Sequence, residues 1–186
     1  MNFRFKITKA TEAACQFVSR EGGTINIMKL VKLVYLLDRL SVARRGIPVV
    51  GGAYFSLPNG PITSELLDLV NSGCLWGQAD CHWDEYISDR QDHDVALKGE
   101  APSDNLSPAE MDLIEEVYGE HGAKDQWELR DWCHEHCEEW TPLEKGRDLI
   151  PLEKIARAVG KTDEQIKRLT EDAEELNFLA AAFGRE

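Results

Sequence analysis

Between Lys29 and Leu40 the chain is apolar at Leu30, Val31, Leu33, Val34, Leu36, Leu37 and Leu40, which covers more than one face at 3.6 residues per turn. A helix that is apolar nearly all round is normally the buried centre of a domain. The segment therefore predicts a central helix, capped by Asn26 and ended near Gly46. Lys29, Lys32, Tyr35 and Asp38 recur through it at steps of three and form one stripe of polar tips. Such tips on a buried helix need partners, either from the domain itself or from another protein.

The same patterning places the other elements. A first helix is expected from Thr8 or Thr11 to Ser19, with Ala10, Ala14, Phe17 and Val18 inward and Gly22-Gly23 at its end. Ala53 to Leu57 reads as a short extended segment before a Pro58-Asn59-Gly60-Pro61 turn. Pro61 then suits the first turn of a helix carrying Ile62, Leu66, Leu67, Leu69 and Val70 and ending at Gly73. Trp83 to Lys98 is the strand candidate, a hairpin that sets Trp83, Tyr86 and Ile87 against Val95 and Leu97. Ser107-Pro108-Ala109-Glu110 has the form of a capping box and opens a helix with Leu113, Ile114 and Val117 inward. Another helix follows from Asp125 to about Glu139, then a loop between Pro142 and Pro151. Leu152, Ile155, Ala156 and Val159 mark a short helix broken by Gly160. Thr162 caps a last one with Ile166, Leu169, Ala173 and Leu176 on its apolar face. The expected fold is mainly α (α+β): residues 1–186 form a single helical domain around a buried central helix, with a small β-hairpin and a helical closure over 151–183.

Length agrees with one domain, since 186 residues support one core. The net charge of -13 disfavours attraction to phosphate backbones, making nucleic acid an unlikely partner, and favours encounter with a basic one. The five cysteines show no framework spacing, the N-terminus lacks a signal-peptide core, and no apolar run is long enough to span a membrane. A cytoplasmic placement with reduced thiols is the expectation.

Candidate chemistry is sparse. Cys133-His134-Glu135-His136-Cys137 looks at first like a metal site, with Cys74, Cys81 or His82 as a remote ligand. The spacing matches no common zinc pattern, and two buried thiols with two partly exposed histidines is the preferred reading, so no metal and no cofactor is assigned. Cys133 and His134 point about 100° apart on a helix, and the acidic flanks are expected to raise a thiol's pKa, which argues against cysteine catalysis. The carboxylates Glu110, Asp112, Glu115 and Glu116, and Glu171, Asp172, Glu174 and Glu175, read as solvated helix faces. Pro151 to Leu169 has a helix-turn-helix outline, but the acidic Thr162-Asp163-Glu164-Gln165 start disfavours base reading. For Asp38 the candidate partners are Lys32, Arg44 or another nearby base, and the Tyr35 and Tyr54 hydroxyls are expected to fill the core bonded to Asp38 or to a backbone group.

Lys32-Leu33-Val34-Tyr35-Leu36-Leu37-Asp38 resembles the "QKLLYLAD" helix of the Panacea domain. Gly46-Ile47-Pro48, Tyr54 and Asn59-Gly60-Pro61-Ile62 resemble the block that follows it in that family, Leu106-Ser107 its next helix start, and Leu129 to Trp140 its later histidine–tryptophan segment. Lys29, Ser56, Ile62 and Cys133 depart from its pattern. The resemblance covers about residues 5–160 and implies an antitoxin that is not an enzyme and neutralises a cognate toxin by direct binding. In SocA-like members it also implies presentation of the toxin to an ATP-dependent protease. The matched residues Lys32, Tyr35, Asp38, Tyr54, Asn59, Gly60, Pro61, His134 and Trp140 are the candidate toxin-binding set. The alternatives are a DNA-binding autoregulator using the C-terminal helices, or a metal- or thiol-dependent hydrolase centred on Cys133–Cys137.

Overall fold

Helix α2 (Ile27–Arg45) runs through the middle of the molecule, and every residue from Lys29 to Asp38 is buried. A computed structural model describes residues 3–73 and 82–183; Cys74 and Cys81 lie outside the described residues. The Asn26 side chain accepts the Met28 N–H at the start of α2, and Gly46 closes it with φ 80°. That left-handed cap is a conformation glycine adopts without penalty.

Five further helices reach α2: α1 (Ile7–Arg20), α3 (Ser64–Ser72), α5 (Pro108–His121), α6 (Gln126–His136) and α7 (Leu152–Ala158). The short α4 (His82–Tyr86) lies on α1, and α8 (Asp163–Phe183) closes on α7. Local chemistry sets several starts. Ser107 with Glu110 and Asp125 with Glu128 form reciprocal capping boxes, and Thr162 exchanges bonds with Gln165 at the head of α8. α6 ends at His136, short of Glu139, where Cys137 takes the C-cap. Leu169 of α8 sits over Gly46, where a Cβ would come within 2.5 Å of its Cδ2. The fold is α-dominant, with eight helices among the described residues and small antiparallel sheets.

The sheets depart from the sequence reading in three places. β2 (Tyr54–Leu57) and β3 (Gly60–Thr63) form a hairpin across the Pro58-Asn59 turn, with Ser56 opposite Pro61 and Phe55 opposite Ile62. Pro61 and Ile62 are therefore strand residues, and the helix starts later, at Ser64. An edge strand tolerates a proline, and β3 is the edge of the order β3-β2-β5. β5 (Asp148–Ile150) emerges from the expected Pro142–Pro151 loop and pairs with β2.

The expected hairpin over Trp83–Lys98 is corrected as well. Trp83 to Tyr86 is helical, because Trp83 and Ile87 lie one turn apart and both are buried. The expected cross-chain pairing survives from Tyr86 onward, in the Ile87–Leu97 and Gln91–Asp94 bridges and in the backbone bonds from Lys98 to Tyr86 and from Ser88 to Ala96. β4 (Asp94–Ala96) also pairs with β1 (Thr24–Asn26), from Thr24 opposite Ala96 to Asn26 opposite Asp94.

Candidate functional site

The polar stripe of α2 meets four different environments. Lys29 pairs with Glu21 at 2.5 Å and donates to the Gly122 carbonyl at 2.8 Å. Tyr35 donates to Glu139 Oε1 at 2.5 Å, and Arg39 Nε reaches the same oxygen at 2.8 Å. Asp38 accepts the Val50 and Gly51 N–H groups at 2.8 and 3.0 Å and the Tyr54 hydroxyl at 2.8 Å. The expected base beside Asp38 is not its partner, and Arg44 pairs with Glu116 instead. Backbone and hydroxyl donors satisfy a carboxylate where a second long side chain would not fit. Lys32 is the exception: it is 1% exposed, and no hydrogen bond or ion pair reaches its ammonium among the described residues.

These contacts lock the β2–β3 hairpin onto α2. Tyr35 and Tyr54 meet edge to face at 6.0 Å, and the Trp140 indole donates to the Leu57 carbonyl at 2.9 Å. The Thr141 N–H reaches Ser56 Oγ at 3.0 Å. His134 stacks flat on Trp140 at 4.0 Å. Gly60, at φ 102°, is pressed into this group: a Cβ there would lie 2.5 Å from Lys32 Nζ and 3.5 Å from His134 Nε2. His134 Nε2 is buried without a partner among the described residues.

The nine sequence candidates thus fall into two sets. Tyr35, Asp38 and Tyr54 are buried and bonded inward, and they position the hairpin. Pro61 is buried in β3. Lys32, Asn59, Gly60, His134 and Trp140 gather at one end of the molecule, with Asn59 exposed on the turn and His134 and Trp140 half-buried. Beside them a pocket of about 340 Å³ opens, lined in part by Lys32, Asn59, Gly60 and Ile62. Trp127, on its rim, is 50% exposed, with the Arg130 guanidinium 5.0 Å from its ring centroid. Trp127, Arg90 and His93 were not legible in the sequence as members of this end, because they come from separate elements. Glu139 carried a signal, an acid at the foot of a helix rich in histidine and cysteine, but its partners Tyr35 and Arg39 are set by tertiary packing.

A match to the family of SocA-like antitoxins with the Panacea domain extends over residues 30–141 and encloses every one of the nine candidates. The chain belongs to this SocA-like Panacea family. No curated protein and no solved structure matches it. The matched region of this Panacea domain starts within α2 and ends just after Trp140, so it spans the whole network that ties hairpin, α2 and the end of α6 together.

Burial governs the ionisation of the network. Asp38 is raised to about 6 by desolvation, although the Val50 and Gly51 N–H groups and Tyr54 pull against the rise. Tyr35 and Tyr54 stand well above the usual phenol value, first through burial and then through their carboxylate neighbours. Lys32 is lowered by burial, and His134 by burial and the nearby Lys32 charge. Cys133 corrects the sequence expectation: bonding with the Cys137 thiol, with help from Lys32, moves it down, while Cys137 moves up. Both thiols are buried, and among the described residues no group of three His, Cys, Asp or Glu side chains could hold a metal ion. Glu110 is also no solvated residue. It is 3% exposed, bonded to Lys9 at 2.7 Å and to the Ser107 N–H, and those bonds hold it down to about 2 against the effect of burial.

Proposed function

We propose that this Panacea domain neutralises a cognate toxin by direct protein–protein binding, using the end of the molecule where Asn59, Gly60, Trp127 and Trp140 gather. Membership of the SocA-like antitoxin family carries the reading. The half-exposed Trp127 beside a hairpin anchored from beneath supports the choice of face, since interface hot spots are rigid aromatic groups near a pocket. Tyr35, Asp38 and Tyr54 act here by holding the hairpin in place rather than by touching the toxin. Inhibition needs an interface of about 1,600 Å² and no turnover. The charge of -13 speeds encounter with a basic toxin.

Presentation of the toxin to an ATP-dependent protease uses the same first step and is part of this proposal. DNA binding by α7 and α8 is less favoured, because Arg157 pairs with Asp163 at 3.1 Å and Arg168 with Glu164 at 2.6 Å, leaving little positive field.

The test is co-expression with the product of the adjacent gene. The expected result is a complex that survives purification and restores growth, with both lost together in a Trp127→Ala, Asn59→Ala double variant that keeps its Tm. Rescue by a variant that no longer binds the toxin would overturn direct neutralisation. Toxin levels that fall only when the protease is present assign the adaptor mode, and steady levels assign simple occlusion.

A further inference from the structure

An ammonium on the wall of an apolar pocket, with no counter-charge, is costly to a fold unless something else supplies the charge. Among the described residues Lys32 is in that position. Its residue is 1% exposed, it lines the pocket of about 340 Å³, and its charged and titratable neighbours are Arg130, Cys133, Cys137 and His134, none of them a carboxylate. The chain carries 34 Asp and Glu residues, yet among the described residues none lines this pocket. Arg90 and His93 do line it, on the same cavity as Lys32. The remaining wall is largely apolar, with Val31, Ile62 and Leu67, and Trp127 closes the rim. Gly60 keeps the space in front of Lys32 Nζ open, since a Cβ there would stand 2.5 Å from it.

We propose that this pocket binds a single carboxylate borne on an apolar body about the size of one aromatic side chain, with Lys32 as its counter-ion. Lys32 is the buried cation on this wall, while Arg90 and His93 are exposed and Arg90 already donates to the Asp92 carbonyl and to Asn71, so the site suits a monoanion; a phosphate dianion calls for several convergent charged donors. The volume lies at the small end of ligand sites, of order 300–1,000 Å³, and its walls match an apolar ligand with one oriented charge. Such a carboxylate exists on a free aromatic acid and at the C-terminus of a partner chain ending in an apolar residue. The inference concerns the same face as the antitoxin reading but is measured with small probes, so either can fail while the other stands.

The experiment titrates the purified chain with 3-phenylpropionate and with 3-phenylpropanamide, by calorimetry and by thermal shift. The acid is expected to bind at least about tenfold more tightly than the amide, the discrimination one good ionic contact confers. Lys32→Met is expected to bind acid and amide alike, with an unliganded Tm no lower than wild type, because it removes an unpaired buried charge at similar volume. Equal binding of acid and amide by the wild type, or discrimination retained in Lys32→Met, overturns the proposal. Leu67→Trp, which fills the cavity and leaves Lys32 in place, is the second variant: the acid must be lost there too, and undiminished binding also overturns the site. A parallel arm uses an acetylated Gly-Gly-Phe peptide with a free carboxylate and its amide. A peptide acid about tenfold tighter than 3-phenylpropionate assigns the site to a partner's chain terminus; equal or weaker binding assigns it to a free acid.

Discussion

At the residue scale, Lys29, Tyr35 and Asp38 on α2 each find different partners and Lys32 finds none among the described residues, and the differences predict different costs. Tyr54 gives its hydroxyl to Asp38, which also holds two backbone N–H groups of the chain entering β2. Tyr54→Phe removes one donor and leaves the carboxylate in place. It should cost about 1.5–3 kcal/mol, as for a hydrogen bond to a charged group. It should also raise Asp38 further above its value of about 6, since that hydroxyl favours the ionised form. Denaturant melts together with a carboxyl titration followed by NMR check both effects; an unchanged Asp38 titration would remove Tyr54 from this role. The stripe itself was legible, because a step of three on an apolar helix demands partners. Of the partners, only the Tyr54 hydroxyl on Asp38 was readable: Glu21, Glu139 and the backbone of Val50 lie far from α2 in sequence or outside any helical spacing rule.

At the element scale, caps and turns were readable where one residue acts on its near neighbours. Asn26, Ser107 and Thr162 begin their helices as their side chains dictate. Strands were harder, since β1, β4 and β5 have three residues each and are defined by partners elsewhere in the chain. The β2–β3 hairpin is the element closest to the proposed face, and Trp140 fastens it through Leu57. Trp140→Phe keeps the stacking surface for His134 and loses the indole donor, a change of about 0.5–1.5 kcal/mol. Amide hydrogen exchange should then quicken over residues 54–63, while the amides of α1 keep their wild-type protection. Uniform acceleration throughout the chain would mean that the contact is part of global stability instead.

At the scale of the whole molecule, two buried groups oppose one another in the acid range. His121 is 3% exposed, lies edge-on to Trp132, and is lowered to about 4 by burial. Its neutral form is favoured by the fold, so its contribution is full above the unfolded value of about 6.5 and is lost as pH falls towards 4. Asp38 acts in the other sense: with its value raised to about 6, its protonated form is favoured, and stability is lost as pH rises from 3.8 towards 6. The two partly cancel in the wild type. His121→Phe removes one side of this opposition, so Tm between pH 6.5 and 4 should gain on acidification relative to wild type. Parallel Tm profiles for the two proteins would show that His121 does not titrate in this way.

What the chain determined alone is local or periodic. The apolar run of α2 had to be buried, capping boxes had to start α5 and α6, and the polar stripe had to find partners, because these follow from spacing within a few turns. Tertiary structure decided which partners were found. It brought Glu139 to Tyr35 and the Val50 backbone to Asp38, and it placed Pro61 in an edge strand instead of a helix. Among the described residues it also left the Lys32 ammonium without an acid beside it, next to Gly60 on a pocket wall. Long-range proximity depends on how faces pack together, and residue spacing carries no record of that.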